Sequence, residues 1–249
     1  MKRIYRAYNP LKREFIDQLF FIFCLWLFSF YVLVFFEYFQ VFSYFALPYI
    51  SFVSIMTTYW GNKARVCLNG LSGEHNALHI IKSIPKNYII FSNITISHDD
   101  KESETDLIIL GEKGVFIIEV KNHIGVINGK EQEHNWTQFK ETKFGGKYIN
   151  PFFNPTKQVK THVFRLSQVL KEVDYDNWIQ GVVYFVNPNV ELNIQSYKTP
   201  VLSPNDSFNS FLEKYEPKRK TTKEELILIE KVLKNQIRNE YLRLKIKKD

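Results

Sequence analysis

Two charged residues end an apolar stretch in the segment GEKGVFIIEVKN, which covers residues 111–122. A glycine-bounded turn precedes a run typical of a buried strand, and Glu119 and Lys121 follow two positions apart. Because side chains alternate along a strand, both project from one face, with Val120 on the other. An isolated pair of this kind also fits a solvated ion pair on an edge strand, and this alternative stays open.

A third charged residue, Asp106, begins the strand TDLIIL on the other arm of a predicted β-hairpin. If the register brings the start of that strand beside the end of the next, two carboxylates and one ammonium converge. Neighbouring carboxylates repel unless a cation lies between them, and hard oxygen ligands suit Mg²⁺ or Mn²⁺. A lysine beside a metal-bound phosphate can orient or deprotonate a water and stabilise developing charge. These residue types favour hydrolysis of a phosphodiester.

The order of these motifs resembles a known family. Asp-x₁₂-Glu-Val-Lys is similar to the core of the PD-(D/E)xK phosphodiesterases, and residues 70 to about 170 resemble the nuclease-related domain (NERD) family. Its matching stretches are GLSGE, TDLIIL, GVFIIEVKNHIG, the tryptophan of HNW and NPTKQVKTH. The resemblance implies a restriction-endonuclease-like core. One departure is Thr105, where the family usually has isoleucine, and it predicts a small shift of the strand.

The resemblance also implies which residues form the site. Asp106 and Glu119 would be catalytic residues that hold the metal ion, Mg²⁺ or Mn²⁺, and the backbone carbonyl of Val120 would add a third oxygen. Lys121 would be the catalytic lysine and would contact the nucleic acid.

Two helices would supply the remaining site residues. Glu74, in SGE, would be a further ligand or a water-orienting acid, and Gln158 would lie beside the lysine and the DNA phosphate. His162, four residues after Gln158, shares its helix face and could touch phosphate, although polar packing is more common for such a residue. Zinc at His75 and His79 is a weaker alternative, because HNALH lacks the metalloprotease glutamate and a third ligand.

The elements that position these residues follow from periodicity and cap signals. LSGEHNALHIIKSI predicts a helix with Ser72 as N-cap, and NYIIFSNITI, IGVINGK, NWTQFK and WIQGVVYFVN predict strands. Asn154-Pro155 begins a helix, and Thr222-x-x-Glu225 is a capping box that opens a basic C-terminal helix. We therefore expect an α/β fold of α+β type, with a mixed sheet flanked by helices.

Two uncharged runs, residues 19–36 and 41–60, precede these elements, and each is long enough to cross a membrane as a helix. Lysines and arginines flank the two runs but are absent between them. The positive-inside rule then predicts a two-helix transmembrane hairpin, with the soluble domain in the cytoplasm of a multi-pass cell-membrane protein. A cleaved signal peptide is disfavoured because no small-residue cleavage site follows. A second run that only dips into the membrane stays an alternative.

Composition indicates the partners. A net charge of +7 favours nucleic acid or an anionic membrane surface, and the two cysteines offer no disulfide framework. The C-terminal basic helix fits contact with DNA or lipid, or simply a solvated face. Domains are expected at residues 1–60 (membrane anchor), 61–215 (nuclease-like domain) and 216–249 (basic helix).

The sequence thus predicts a membrane-anchored, metal-dependent nuclease that hydrolyses DNA, with DNA and membrane lipid as partners. Self-association into a homo-oligomer is left open. The rival interpretation is a nucleic-acid- or protein-binding module at the membrane that keeps the nuclease fold without catalysis.

Overall fold

The computed structural model describes residues 3–7, 10–39, 42–141 and 145–246. Its elements follow the chain as β1 (Arg3–Arg6), α1 (Pro10–Phe39), α2 (Phe42–Ser83), β2 (Ile89–His98), β3 (Lys101–Gly111), β4 (Gly114–Lys121), β5 (Gly125–Lys130), β6 (Asn135–Glu141), β7 (Lys147–Phe153), α3 (Pro155–Lys171), β8 (Ile179–Phe185), β9 (Val190–Gln195), β10 (Val201–Leu202), α4 (Phe208–Lys214) and α5 (Lys223–Ile246). The chain divides into a sheet unit, Met1–Tyr8 with Gly73–Asp249, and a helical unit, Asn9–Ser72.

A six-stranded mixed sheet forms the centre of the sheet unit, in the order β1-β2-β3-β4-β8-β10. The predicted hairpin is present: β3 and β4 pair antiparallel, and β4 then pairs parallel with β8. Every residue of β8 is buried, as its continuous apolar run predicts. One face packs against apolar residues of α3 and α5, and the other against those of α4. This confirms a mixed sheet flanked by helices.

A second sheet, ordered β7-β6-β5-β9, was not predicted, although β5 and β6 were recognised as strands. Trp136 on β6 is fully buried and donates its indole N–H to the carbonyl of Lys130 at 2.9 Å. Gly129 is required beside it, because a Cβ there would lie 2.3 Å from the indole ring. The second sheet therefore closes tightly around Trp136.

Asn154 joins the second sheet to α3 and is fully buried. Its side-chain oxygen accepts the backbone N–H of Thr156 at 2.9 Å, which confirms the predicted N-cap. Its amide nitrogen donates to three carbonyls of the β5–β6 turn, those of Lys130, Glu131 and Glu133. The start of α3 is thereby fixed to the second sheet. The capping box of α5 is also confirmed, with Thr222 and Glu225 exchanging backbone-to-side-chain bonds.

The helical unit consists of α1 and most of α2. Phe21 stacks on Trp60 at 4.7 Å between ring centroids, and Sγ of Cys67 lies 3.9 Å from Oε2 of Glu14. The later residue of α1 contacts the earlier residue of α2, so the two helices are antiparallel. Within the described residues one helix is long and apolar enough to span a membrane, over Lys12–Val32, and 6% of it is buried. Buried core helices and signal sequences meet the same length and composition test.

Ser72 is not an N-cap, contrary to the prediction. Residues of the second apolar run and of LSGEHNALHIIKSI belong to one continuous helix, α2, which carries Pro48 inside. A helix that is already formed supplies carbonyl acceptors to the N–H groups after Ser72, so no cap is needed there. The apolar run and the following amphipathic pattern are thus one element instead of two.

Candidate active site

Glu119 and Lys121 lie at the carboxyl end of β4, where that strand leaves the buried sheet. Nζ of Lys121 is 2.7 Å from Oε1 of Glu119. Glu119 is 3% exposed, and the Lys121 side chain is 19% exposed. The alternative of a solvated surface pair does not fit a carboxylate buried to this degree, because a buried charge needs partners.

Helix α3 places Gln158 and His162 against this pair, one turn apart on the same helix face. Oε1 of Gln158 accepts a hydrogen bond from Nζ of Lys121 at 2.9 Å. Nε2 of His162 is 3.2 Å from Oε2 of Glu119, and its Nδ1 contacts the hydroxyl of Ser103. Both oxygens of Glu119 are therefore engaged. Burial opposes ionisation of Glu119, but the hydrogen bond from His162 and the charge of Lys121 outweigh it, so its pKa is lowered.

Asp106 lies at an irregular point of β2 and β3. Before this point odd-numbered residues of β2 face the core cluster that contains residues of α3, and after it even-numbered residues do. Ser92 pairs with Leu107 and Ile94 with Thr105, so Asn93 and Asp106 are opposite one another. Asn93 has φ 55, the left-handed conformation that asparagine tolerates. As a result Phe91 and Ile94, three residues apart, face the same core cluster. The reversal sets Asp106 at an irregular point in an otherwise regular sheet.

The Asp106 carboxylate is oriented by the neighbouring strand. Its Oδ2 accepts the backbone N–H of Val120 at 2.7 Å. The β3–β4 register ends at Leu107–Ile118, and Asp106 and Glu119 are the next residues on the two strands. Burial and the negative charge of Glu119 raise the pKa of Asp106 to about 8. The two carboxylates thus form one electrostatic group.

Thr105 lies in regular β2–β3 pairing, and a small shift of the strand relative to the family stays a prediction. It is fully buried, and its hydroxyl donates to the carbonyl of its cross-strand partner Ile94 at 2.9 Å. The β2–β3 pairing keeps one register on both sides of it. A small polar side chain is accommodated there because its hydroxyl is satisfied within the sheet.

Comparison with known families matches the region that carries these residues. The family model of the nuclease-related domain matches residues 69–186, which include α3, β2 to β8 and every site residue named above. Residues 69–186 are a nuclease-related domain. Nuclease-related domains belong to the PD-(D/E)xK superfamily. The resemblance found from the sequence motifs is therefore confirmed.

A curated protein similar to this chain is an uncharacterized protein of Bacillus anthracis, 30% identical over 105 residues. The aligned region covers 41% of this chain and 48% of that protein, so the match spans about half the length of the relative. No solved structure matches significantly. Because that relative is uncharacterized, the match assigns no activity to this chain.

The donor set of the nuclease-related domain suits a hard divalent cation. Mg²⁺ is commonly held by one or two carboxylates together with water and substrate phosphate, and Asp106 and Glu119 supply two carboxylates. Within the part of the chain that the structure describes, no three His, Cys, Asp or Glu side chains form a metal-binding group. The predicted Glu74 ligand lies outside the described side chains, as do His75 and His79. The contribution of the Val120 carbonyl stays a prediction.

Two residues that shape this site, Ser103 and Asn93, were not anticipated from the sequence. Ser103 was missed because strict alternation from Leu107 places it on the opposite face from α3, whereas the reversal at Asn93 turns it toward His162. The available signal was Asn93 itself, an asparagine inside an apolar strand pattern, since asparagine is enriched in left-handed backbone. His162 is 7% exposed with both ring nitrogens engaged, a geometry that favours support of Glu119 over contact with phosphate.

Proposed function

We propose that this protein is a metal-dependent nuclease that hydrolyses DNA phosphodiester bonds. The observation that carries the proposal is the position of the Lys121 ammonium, bonded at once to Glu119 and Gln158 at the end of β4. Asp106, on the adjacent strand, supplies a second carboxylate. A lysine of this kind, beside two carboxylates and an amide, fits the stabilisation of charge on a transferring phosphoryl group.

Each side chain has a distinct task in the proposed hydrolysis. Asp106 and Glu119 would hold Mg²⁺ or Mn²⁺, which supplies Lewis acidity when bound. Lys121 orients the attacking water and donates to a non-bridging phosphate oxygen, while Gln158 fixes the direction of its ammonium. As the water oxygen bonds to phosphorus, the water releases one proton to solvent, the ester P–O bond breaks, and the departing oxygen takes up one proton from solvent. His162 keeps Glu119 in place from the side opposite Lys121.

A non-catalytic nucleic-acid- or protein-binding module is the second candidate. The observation in its favour is that both oxygens of Glu119 already have partners in Lys121 and His162. An ion that binds there must share an oxygen with one of them. A site occupied by its own ion pair would bind phosphate through Lys121 without turnover.

The decisive experiment measures cleavage of labelled DNA by the full chain in detergent, with Mg²⁺ or Mn²⁺ and with EDTA. Glu119→Gln and Lys121→Met should each lower the rate at least about 100-fold, since each removes a group that acts in the transition state. Lys234→Met is the matched control, because Lys234 also pairs with a buried glutamate, Glu230, at 2.8 Å. DNA binding without metal-dependent cleavage would favour the binding module instead.

We further propose that the helical unit attaches the protein to a membrane as a hairpin, with the soluble part in the cytoplasm. Large apolar side chains of both helices are exposed, among them Phe23, Phe28 and Phe30 on α1 and Phe52 and Ile55 on α2. Contiguous apolar surface of this extent is typical of contact with lipid or with another protein. At one end, the ammonium of Lys63 lies over the rings of Tyr59 and Trp60, a combination common at membrane interfaces.

The pairing of β1 with β2 supports two membrane crossings instead of one. β1 pairs parallel with β2, from Arg3 opposite Ile89 to Arg6 opposite Ser92. The chain before α1 and the chain after Gly73 are therefore in the same folded unit and on the same side of any membrane. If α1 crosses, the chain must cross back before β2, and the segment 42–62 of α2 is the stretch available.

Cysteine labelling in intact cells tests this topology. In a Cys24→Ser/Cys67→Ser background, Glu37→Cys should react with an impermeant maleimide added outside. Tyr197→Cys, at a position 84% exposed in the sheet unit, should react only after permeabilisation. Labelling of Glu37→Cys only after permeabilisation would contradict a hairpin whose loop lies outside the cell.

A further inference from the structure

One end of the β6–β7 pair projects from the body of the sheet unit. Tyr148 and Ile149 are consecutive on β7 and face opposite sides, yet they are 54% and 61% exposed. At the other end of the same pair Trp136 is fully buried. The projecting end, hereafter the ribbon tip, comprises residues 139–141 and 147–149. Between them, residues 142–144 lie outside the described residues.

The ribbon tip combines aromatic and basic side chains on both faces. Lys140 is paired with Tyr148 on the face toward the core, and Phe139 with Ile149 on the outer face. Its acid, Glu141, is opposite Lys147. Neither lysine has an ion-pair partner among the residues that the structure describes. Unpaired ammonium groups beside exposed rings are the combination that single-stranded and backbone-directed nucleic-acid surfaces use.

His123 connects the ribbon tip to the candidate active site. Its ring stacks on Phe152 of β7, with 4.4 Å between centroids and 22° between planes. Burial lowers the pKa of His123, and the ammonium groups of Lys121 and Lys140 lower it further, against a hydrogen bond with Gln138. Since His123 follows Lys121 by two residues, this stack places Phe152 of β7 beside the end of the strand that carries the candidate site.

The distance along the ribbon matches several nucleotides. Phe152 and Tyr148 are four residues apart on one strand, roughly 13 Å at about 3.3 Å per residue. Base pairs follow one another at about 3.4 Å, so this length corresponds to roughly four steps. A two-stranded ribbon is also an element that fits the major groove.

We propose that the ribbon tip binds nucleic acid beside the scissile phosphate, with Lys140 on a backbone phosphate and Tyr148 against a base or sugar. This inference rests on the proposed function, since it extends the same substrate surface away from Lys121. The ribbon tip would then set the length and the strandedness of the substrate that reaches the site.

Fluorescence anisotropy with labelled duplex and single-stranded DNA tests the ribbon tip, using the full chain in detergent with EDTA so that no cleavage occurs. Lys140→Ala/Tyr148→Ala should weaken binding of at least one DNA form about tenfold or more. The salt dependence of binding should also fall by a slope of about one, as expected for one lost phosphate contact. Tyr197→Ala/Lys198→Ala is the matched control, because it removes the same side-chain types from another exposed loop.

Equal affinities of the wild type and the Lys140/Tyr148 variant would overturn the proposal, as would an equal loss in the Tyr197/Lys198 control. Lys140→Glu, a single exchange in a partly exposed position, provides a second variant if the double variant unfolds. Loss of binding to anionic vesicles with unchanged DNA binding would assign the ribbon tip to lipid and overturn the proposal. Ribbon-dependent binding without cleavage under any metal would support the ribbon tip and contradict the nuclease function.

Discussion

Asp106 accepts a hydrogen bond of 2.7 Å from the backbone N–H of Val120, so β4 orients the carboxylate that β3 supplies. The same strand carries Glu119, the second carboxylate. Burial and the charge of Glu119 oppose ionisation of Asp106, so in the metal-free protein Asp106 holds its proton below about pH 8, and a bound cation would favour release of that proton. The second carboxylate therefore lowers the stability of the metal-free protein and raises the affinity for a metal ion.

Asp106→Asn separates these two effects. The asparagine oxygen still accepts from Val120, and the amide is neutral like the protonated acid. Because the unfolded acid ionises above about pH 4 and the folded acid only above about pH 8, the free energy of unfolding in EDTA should exceed that of wild type above about pH 4, with the full difference above about pH 8. Affinity for Mg²⁺, measured by calorimetry, should fall at least about tenfold because a carboxylate ligand is lost. Asp106→Ala is the control: it also leaves the Val120 N–H without its acceptor and should be less stable than the asparagine variant by about 1–3 kcal/mol.

His162→Ala should weaken both stability and metal affinity, because it leaves Oε2 of Glu119 without its donor in a buried position. A loss of about 1–3 kcal/mol in the free energy of unfolding is expected. His162→Gln, whose amide can donate to the same oxygen, should recover most of the metal affinity. DNA affinity in EDTA should stay unchanged in both variants. A reduced salt dependence of DNA binding would instead indicate that His162 contacts phosphate.

Asn93 sets the position of Asp106 through its left-handed backbone. Asn93→Val should cost about 1–2 kcal/mol of stability and abolish cleavage, because a β-branched residue disfavours φ 55 and the reversal that places Asp106. Asn93→Gly should keep both the stability and the cleavage activity of the wild type. Asp174→Val is the matched control, since Asp174 has φ 58 outside the site. It should lose similar stability in thermal melts but retain cleavage, and an inactive Asp174→Val would contradict this interpretation.

Local patterns predicted the parts of this site that depend on neighbouring residues. The hairpin turn, the alternation of Glu119 and Lys121 and the Asn154 cap each follow from a few consecutive residues. The second sheet could not be predicted in this way. Its strand β5 pairs with β9, about 65 residues later, and no local pattern specifies that partner. The reversal at Asn93 also escaped prediction, since alternation assumes an unbroken strand. Gln158 was placed by family resemblance, not by periodicity.

Glu131 illustrates a long-range contact of this kind and makes stability depend on pH. Its carboxylate is 8% exposed, pairs with Lys160 at 2.6 Å and accepts the backbone N–H groups of Tyr197 and Lys198. Burial alone would raise its pKa, but these bonds outweigh burial and lower the pKa to about 2. The carboxylate thus links β5, α3 and the loop after β9.

A glutamate with a depressed pKa stabilises the fold above its unfolded pKa, and that stabilisation is lost as pH falls toward the folded value. Between about pH 4.5 and pH 2, wild type should therefore lose up to about 3 kcal/mol that Glu131→Gln lacks throughout. Chemical denaturation across this range should show the two proteins converging in acid. Glu213→Gln, an exposed glutamate on α4, should follow the wild-type curve. Parallel curves for wild type and Glu131→Gln would show that the buried carboxylate is not held by these contacts in solution.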